Sequence, residues 1–201
     1  MTFPDIAIAA VEDNPARIGQ SLAVLQAGLG QGFISREQLL TYAAPQTGIP
    51  FRGALVAIEP ATGSVIGVLT IEIVGAEALQ ASFLGSYDLV CADVAIRLLR
   101  PDSTGLIKSI SVSPAYRGRG VASQLIERGL AELAAHGAEH TYSLAWTSKR
   151  DGCPLCGVLT AAGFRAVRRI ERFWYNDSIA NGYICPADDN PCECAVQVML
   201  R

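Results

Sequence analysis

The spacing of apolar residues divides this chain into short segments of two kinds. Residues 15–28 place Ile18, Leu22 and Leu25 on one side of a helix, and residues 120–136 repeat that spacing. Other apolar runs are bounded by glycine, proline and aspartate, which is typical of strands. The predicted strands are residues 5–11, 54–58, 65–74, 106–112, 141–146, 164–174 and 195–200, and the predicted helices are residues 15–28, a short one from 35, 120–136 and 155–162.

Local signals mark where several of these elements begin. Asn14 is a candidate cap of the first helix, and Ser35 with Gln38 has the spacing of a capping box. Residues 59–64 contain a proline and a glycine, which favours a hairpin between two strands. Residues 77–101 remain ambiguous, because their apolar part fits a strand or a helix.

The order of the elements predicts the fold class. Strand, helix, strand, helix and strand alternate in the second half, which indicates a mixed sheet with parallel central strands and an α+β or α/β fold. Half of the 201 residues are hydrophobic and 17% are charged, so one well-packed core is expected. We therefore expect a single domain over residues 1–201, with a cysteine-rich loop and the last strand in residues 176–201.

Charge and hydropathy exclude several classes of function. The net charge of −3 argues against nucleic acid as a partner, since phosphate backbones require a basic surface. No apolar stretch approaches the roughly 18 residues of a membrane span, and the N-terminus does not read as a signal peptide. We therefore expect a cytoplasmic protein whose six cysteines are reduced, catalytic or metal-bound rather than joined in disulfides.

One turn carries the strongest chemical signal. The strand at residues 106–112 is followed by Pro114 and then by residues 117–122, Arg-Gly-Arg-Gly-Val-Ala, which open a helix. The first N–H groups of a helix are unpaired and bind anions, and glycines let a phosphate approach closely. Three alternatives remain: an RNA-binding Arg-Gly fragment, a dinucleotide-binding turn, and a tight connection without a ligand.

This segment resembles the acetyl-CoA signature of the GNAT superfamily of N-acetyltransferases. That signature is Gln or Arg, two residues, Gly, one residue, then Gly or Ala, and Arg117, Gly120 and Ala122 fill it. The helix-to-strand junction at residues 161–164 matches the family too, and about residues 5–200 fit its fold. The resemblance implies a GNAT-like twisted mixed sheet of about seven strands flanked by about four helices.

The resemblance also implies an activity. The enzyme would transfer an acetyl group from the co-substrate acetyl-CoA to a primary amine of a small molecule or protein by direct attack, and a homodimer is left open. The strand end would contact the pantetheine and thioester, and the turn would wrap the pyrophosphate. The predicted cofactor-binding residues are Ile110, Ser111, Val112, Arg117, Gly118, Arg119, Gly120, Val121 and Ala122.

Three positions depart from the family pattern. Leu159 stands where many relatives have a tyrosine that acts as the general acid. Gly152 stands where an asparagine is common, and Lys108 or Ser109 stands where a glutamate is common. These departures support an alternative function, a non-catalytic acyl-CoA-binding or interaction module on the same fold, stapled by zinc.

Other residues could supply the missing acid and base. We predict Tyr175 as the catalytic acid, against the simpler reading of an aromatic residue at a strand end. Asp88, Asp93 and Asp177 are candidate bases, although solvated surface carboxylates are commoner.

Five cysteines lie between residues 153 and 194. Two-residue gaps between thiolates fit a zinc site, and residues 185–194 resemble a zinc-ribbon tail of some bacterial acetyltransferase-like proteins, with Asp188 in place of a cysteine. Asp188 could be a ligand, the first two cysteines could complete the site, or the metal could be lost. Buried small hydrophobic residues, or a redox protein built on the first pair, are the other readings. The predicted metal ligands are Cys153, Cys156, Cys185, Cys192 and Cys194.

Overall fold

A computed structural model describes residues 6–12, 14–43, 51–77, 100–182, 184–188 and 191–201. The described chain forms seven strands and five helices. The strands are β1 (Ala7–Ala10), β2 (Arg52–Ile58), β3 (Val65–Ile73), β4 (Thr104–Val112), β5 (His140–Thr147), β6 (Arg165–Ile170) and β7 (Ala195–Leu200). The helices are α1 (Pro15–Leu29), α2 (Arg36–Ala43), α3 (Val121–Ala135), α4 (Pro154–Ala161) and α5 (Tyr175–Asn181). None of these helices is long and apolar enough to cross a membrane.

All seven strands join one sheet in the order β1-β2-β3-β4-β5-β7-β6. Strands β4 and β5 are parallel, and every other neighbouring pair is antiparallel. The predicted α+β fold with a mixed sheet is therefore confirmed. Helix α3 connects the two parallel strands, as a crossover between parallel neighbours requires.

Helices cover both faces of the sheet, and their ends follow the sequence signals. Asn14 Oδ1 accepts hydrogen bonds from the first backbone N–H groups of α1, and Ser35 and Gln38 cap α2 reciprocally. On one face, α1 and α2 pack against β2 and β3. On the other face, α3 packs against β2, β3 and β4, and α4 packs against β5, β6 and β7. Helix α3 approaches the sheet closely at Gly129, where a Cβ would lie 2.5 Å from Leu69 Cδ2 on β3.

The predicted strand at residues 164–174 is too long. Strand β6 ends at Ile170, Arg172 adopts a positive φ of 53°, and helix α5 begins at Tyr175. The left-handed residue turns the chain away from the sheet, and Phe173 N–H then bonds the Cys194 carbonyl instead of continuing the ladder. The ambiguous stretch at residues 77–101 lies almost wholly outside the described residues, and Asp88 and Asp93 lie outside them too.

Candidate functional site

Strands β4 and β5 separate before either of them ends. Their pairing runs from Thr104 opposite His140 to Ile107 opposite Ser143, although β4 continues to Val112. Ser143 Oγ donates to the Ile107 carbonyl at 3.1 Å, which satisfies a backbone acceptor at the point of separation. A cavity of about 420 Å³ opens there, which we call the β4–β5 cavity. Its lining residues are Leu29, Phe33, Glu72, Leu106, Ile107, Lys108, Ser109, Ile110, Ser143, Leu144, Trp146, Leu155, Trp174, Cys185, Pro186 and Cys192.

A β-bulge in β4 places a lysine in this cavity. Thr70 pairs with Ser109 and Ile71 pairs with Ile107, so Lys108 is the extra residue on β4. Bulges redirect side chains and are common beside active sites. Here Ser109 Oγ lies 2.6 Å from Thr70 Oγ1, while the Lys108 side chain reaches toward β3 and the cavity.

A buried carboxylate lies at the centre of this region. Glu72 on β3 accepts a hydrogen bond of 2.8 Å from the Tyr42 hydroxyl on α2. Arg52 Nε lies 3.5 Å from Glu72 Oε2, and Lys108 Nζ lies 3.4 Å from Oε1. Burial, with Glu72 beside it, raises the pKa of Tyr42 far above its usual value, so this hydroxyl stays a hydrogen-bond donor. A buried charge requires such partners, and they fix the carboxylate in position.

The turn that follows β4 has the backbone geometry of an anion site. Gly118 and Gly120 have positive φ angles of 72° and 78°, and α3 begins at Val121 without a side-chain cap. The first N–H groups of α3 therefore have no partner within the helix, and the helix dipole favours an anion there. A Cβ built at Gly118 meets nothing within 4 Å, so open space lies above the turn.

Both arginines of the turn are exposed, and the guanidinium group of each makes one nearby contact. Arg117 Nε donates to the Val112 carbonyl at 3.0 Å, which ties the turn to the end of β4. The Arg119 guanidinium lies 5.4 Å from the centre of the Tyr116 ring, a cation–π contact. The Tyr116 hydroxyl in turn donates to Glu59 Oε1 at 2.5 Å, in the link between β2 and β3.

The three predicted cofactor residues on β4 differ in their contacts. Ile110 lines the β4–β5 cavity. Ser111 Oγ donates to the Val24 carbonyl of α1 at 2.7 Å. Gly28 leaves room for this hydroxyl, since a Cβ at residue 28 would lie 2.1 Å from Ser111 Oγ. Val112 offers its carbonyl to Arg117. Ser111 therefore holds α1 against β4.

The sequence matches the profile of the acetyltransferase (GNAT) family over residues 31–164, which contain both the turn and the separating strands. The chain belongs to this family. The predictions of a GNAT resemblance and of an acyltransferase enzyme are thereby confirmed.

Solved structures of acetyltransferases share the whole fold of this GNAT protein. Arabidopsis thaliana NAA60 in complex with acetyl-CoA is 16% identical, with a TM-score of 0.63 over 98% of this chain and 97% of that one. An agmatine N-acetyltransferase is 17% identical, with a TM-score of 0.63 over 98% and 99%. An IAA acetyltransferase from Bacillus cereus is 15% identical, with a TM-score of 0.58 over 98% of both chains. No curated protein matches the sequence.

Tyr175, the predicted acid of this acetyltransferase, begins helix α5. The Arg172 guanidinium lies 3.9 Å from the centre of its ring. Its neighbour Trp174 lines the β4–β5 cavity, and no tyrosine is among the described lining residues. Asp177 accepts a hydrogen bond from Asn181 on the same helix. The cavity carboxylate of the described chain is instead Glu72, which sequence reasoning missed.

Three cysteines and one aspartate converge beside the cavity. One ligand atom from each of Cys185, Asp188, Cys192 and Cys194 lies within 4.8 Å of all the others, and we call this set the thiol cluster. The three cysteines are buried and pack against Trp146 and Trp174. Cys185 and Cys192 also line the cavity, so the thiol cluster forms part of its wall.

Cys153 and Cys156 lie outside the thiol cluster. A disulfide joins them across the first turn of α4, with their Cα atoms 5.4 Å apart. The structure therefore differs from the expectation that all cysteines are reduced or metal-bound, and it removes these two from the predicted ligand set. A two-residue gap fits a metal site and a disulfide equally, so spacing alone could not separate the two.

The donor set of the thiol cluster fits a four-coordinate divalent cation. Cys185 Sγ and Cys194 Sγ are 3.8 Å apart. Zn–S bonds of ~2.3 Å in a tetrahedron give S···S distances of about 3.8 Å. Cys194 Sγ donates to Asp188 Oδ2 at 2.8 Å, and burial with this hydrogen bond raises the pKa of the Cys194 thiol. A cation at the centre would favour the thiolate form instead.

Proposed function

We propose that this acetyltransferase moves an acetyl group from acetyl-CoA to a primary amine. The observation that carries the proposal is the continuity of strand β4. Strand β4 supplies the bulge at Lys108 and the cavity wall at Ile110, and it ends at Val112, with four residues between it and the uncapped turn at residues 117–122. An anionic cofactor bound at the turn would therefore have its other end directed toward the cavity. Acetyl-CoA in the NAA60 complex and the amine acceptor in the name of agmatine N-acetyltransferase support the same chemistry.

Binding of the pyrophosphate is assigned to the backbone of the turn. The amides of residues 117–122 would donate to phosphate oxygens, with Arg117 and Arg119 adding positive charge at the rim. Residues 110–112 would accompany the pantetheine along the separated part of β4. Because β5 diverges there, β4 backbone groups beyond the last parallel pair are free of that neighbour.

Acetyl transfer needs one proton removed and one supplied. The acetyl group arrives as an activated thioester; the amine nitrogen forms the new C–N bond while the C–S bond breaks. Glu72 is the carboxylate among the described lining residues, so we assign to it the proton of the acceptor ammonium. Tyr42, Arg52 and Lys108 hold that carboxylate in one orientation.

Tyr175 remains the proposed proton donor to the thiolate, and a single variant tests it. If it donates, Tyr175→Phe lowers kcat at least tenfold without changing acetyl-CoA affinity. An unchanged kcat would refute this role, and the cation–π contact with Arg172 would remain as the described contact of the Tyr175 ring.

We also propose that the thiol cluster holds one zinc ion. Three thiolates and one carboxylate form a closed four-ligand set, which is typical of structural rather than catalytic zinc. The ion would keep residues 184–188 and 191–194 against the cavity. Ile184 N–H already bonds the Gln31 carbonyl, so this segment also contacts the connection between α1 and α2.

A calorimetric titration with acetyl-CoA tests the proposed function. Micromolar binding is expected for the unmodified protein, and Gly120→Val should remove it, because valine is strained at a φ of 78°. Gly63→Val, at a positive φ in the link between β2 and β3, controls for strain alone. Acetylated amines would then be detected by mass spectrometry. No binding to the unmodified protein would refute the proposal.

A further inference from the structure

The β4–β5 cavity presents a cation more openly than an anion. Glu72 and Lys108 are the charged side chains among the described lining residues. The Glu72 side chain is 8% exposed, while that of Lys108 is 46% exposed. A molecule that enters the cavity therefore meets the Lys108 ammonium first.

The charges around Glu72 leave an excess of positive charge. Two cations, Arg52 and Lys108, lie within 3.5 Å of this single carboxylate, so the three groups together carry a formal charge of +1. Tyr42 adds a third donor to the same carboxylate. Glu72 thus has donors on both oxygens, and the unbalanced charge remains with its cationic neighbours.

Lys108 keeps donor capacity for a ligand. An ammonium group has three N–H donors, and Glu72 is its acidic contact within the described chain. That contact measures 3.4 Å, which is longer than the ~2.7–2.9 Å of a strong charge-assisted hydrogen bond. A second carboxylate could therefore bind Lys108 without displacing a tight partner.

The rest of the wall suits an apolar group. Most of the other lining side chains are apolar, and the aromatic ones come from separate parts of the chain. They are Phe33, Trp146 and Trp174. A volume of about 420 Å³ lies within the usual range for small-molecule sites, about 300–1,000 Å³.

We propose that the acceptor is an amino acid with an apolar side chain, and that Lys108 binds its carboxylate. The Lys108–Glu72 pair offers a cation and an anion side by side, the complement of an α-ammonium next to a carboxylate. The acceptor's side chain would lie against the aromatic wall. This inference rests on the proposed acetyl transfer and adds the class of acceptor.

The test compares three amines that share one apolar body. L-phenylalanine has the free carboxylate, L-phenylalaninamide imitates a peptide N-terminus, and phenethylamine lacks the group. Acetylated product is measured by mass spectrometry with the full chain and saturating acetyl-CoA. We expect kcat/KM for L-phenylalanine to exceed both others at least about tenfold, the effect of one charge-assisted contact. Tryptophan and leucine, each with its amide and decarboxylated amine, form two further series.

Variants at the two lysines of the chain locate the effect. Lys108→Met should raise KM for the amino acid at least about tenfold and change KM for phenethylamine less than about threefold. The same variant should lower kcat to a similar extent for both amines, because Lys108 also holds Glu72. Lys108→Arg should retain most of the preference. Lys149→Met is the matched control, since Lys149 also pairs with a glutamate, Glu193, but does not line the cavity.

Binding of the product tests the carboxylate subsite without turnover. N-acetyl-L-phenylalanine should bind more tightly than N-phenethylacetamide in calorimetry, and Lys108→Met should remove the difference. Faster acetylation of the amide or of phenethylamine, a rise in KM that is equal for all amines in Lys108→Met, or acetyl-CoA binding without acetylation of any amino acid would overturn the inference. In each of those cases acetyl-CoA still binds, which distinguishes them from failure of the proposed function itself.

Discussion

The turn at residues 117–122 and the β4–β5 cavity differ in the kind of groups that form them. The turn is six consecutive residues, 117–122, and the groups that we propose to bind the pyrophosphate are backbone amides at the start of one helix. The cavity takes lining residues from Leu29 to Cys192, and its charged groups are the side chains of Glu72 and Lys108 among the described residues. Both meet on β4, where the turn follows Val112 and the cavity includes Ile110.

This difference determines which substitutions each region tolerates. A backbone site depends on conformation, so it should respond to changes at its glycines and less to changes of its exposed side chains. A side-chain site depends on groups that hold one another, as Tyr42, Arg52 and Lys108 hold Glu72. Removal of one member should therefore disturb the others.

The largest effect that separates the regions is expected at Glu72. Glu72→Gln keeps the size of the side chain but removes its ability to take a proton. We expect kcat to fall about 10²- to 10⁴-fold, the usual range for a lost general base, with unchanged acetyl-CoA affinity. Steady-state kinetics and calorimetry measure the two quantities. The matched control is Glu59→Gln, in the link near the turn, which should retain kcat. Retention of kcat in Glu72→Gln would contradict the assignment.

The thiol cluster allows the next test, which concerns the cavity wall. Cys192→Ala should abolish zinc binding and lower the free energy of unfolding by at least about 3 kcal/mol, because a closed four-ligand site loses a ligand. Elemental analysis gives zinc per chain, expected to be one in the unmodified protein, and urea denaturation gives the stability.

A double substitution controls for the general loss of a cysteine pair. Cys153→Ser with Cys156→Ser removes the disulfide but should leave the zinc content unchanged, since neither residue belongs to the thiol cluster. Zinc that is lost in this double variant, or zinc that remains in Cys192→Ala, would show that the ligand set is wrong.

Substitution of an arginine side chain of the turn should have only a weak effect on acetyl-CoA binding. Arg119 is exposed, and its cation–π contact with Tyr116 lies at the surface, so Arg119→Ala should raise the acetyl-CoA Kd less than about tenfold. The effect should shrink at high salt. Arg128→Ala, on the exposed side of α3 and paired with Glu132, serves as the control. A loss as large as that expected for Gly120→Val would mean that side chains, rather than backbone amides, dominate the site.

The same contrast explains what could be predicted from the sequence. The turn was predictable because its residues are contiguous and the strand, glycines and helix all lie within one segment. The caps at Asn14 and at Ser35 with Gln38 are equally local, and the structure confirms them. The positions of strands and helices could be predicted from apolar periodicity, because the apolar side of each element is buried against its neighbours.

The set of side chains around Glu72, which are Tyr42, Arg52 and Lys108, was not predictable in the same way. Its members come from α2, β2, β3 and β4, and only the register of the sheet brings Glu72 beside the bulge at Lys108. The signal that could have found it is one charged residue in the otherwise apolar part of β3, because a buried charge needs partners. Similarly, nothing in the periodicity of residues 164–174 encodes the positive φ of Arg172 that ends the strand.

The smallest expected effect concerns the anchor of the turn and its pH dependence. Hydrogen bonds from the hydroxyls of Thr62 and Tyr116 hold the pKa of Glu59 below its usual value. A carboxyl whose pKa is lower in the folded state stabilises the protein above its unfolded pKa, and this contribution disappears as the pH falls through the folded pKa. Tyr116→Phe keeps the ring under Arg119 but removes one of the two hydrogen bonds. The difference in urea midpoint between pH 7 and pH 3 should therefore become slightly smaller, while acetyl-CoA affinity stays within about twofold.

Thr62→Val, which removes the other hydrogen bond to Glu59, should act in the same direction. An unchanged pH dependence in both variants would mean that these bonds do not persist in solution, and a large loss of affinity would mean that the turn depends on its anchor more than a backbone site should.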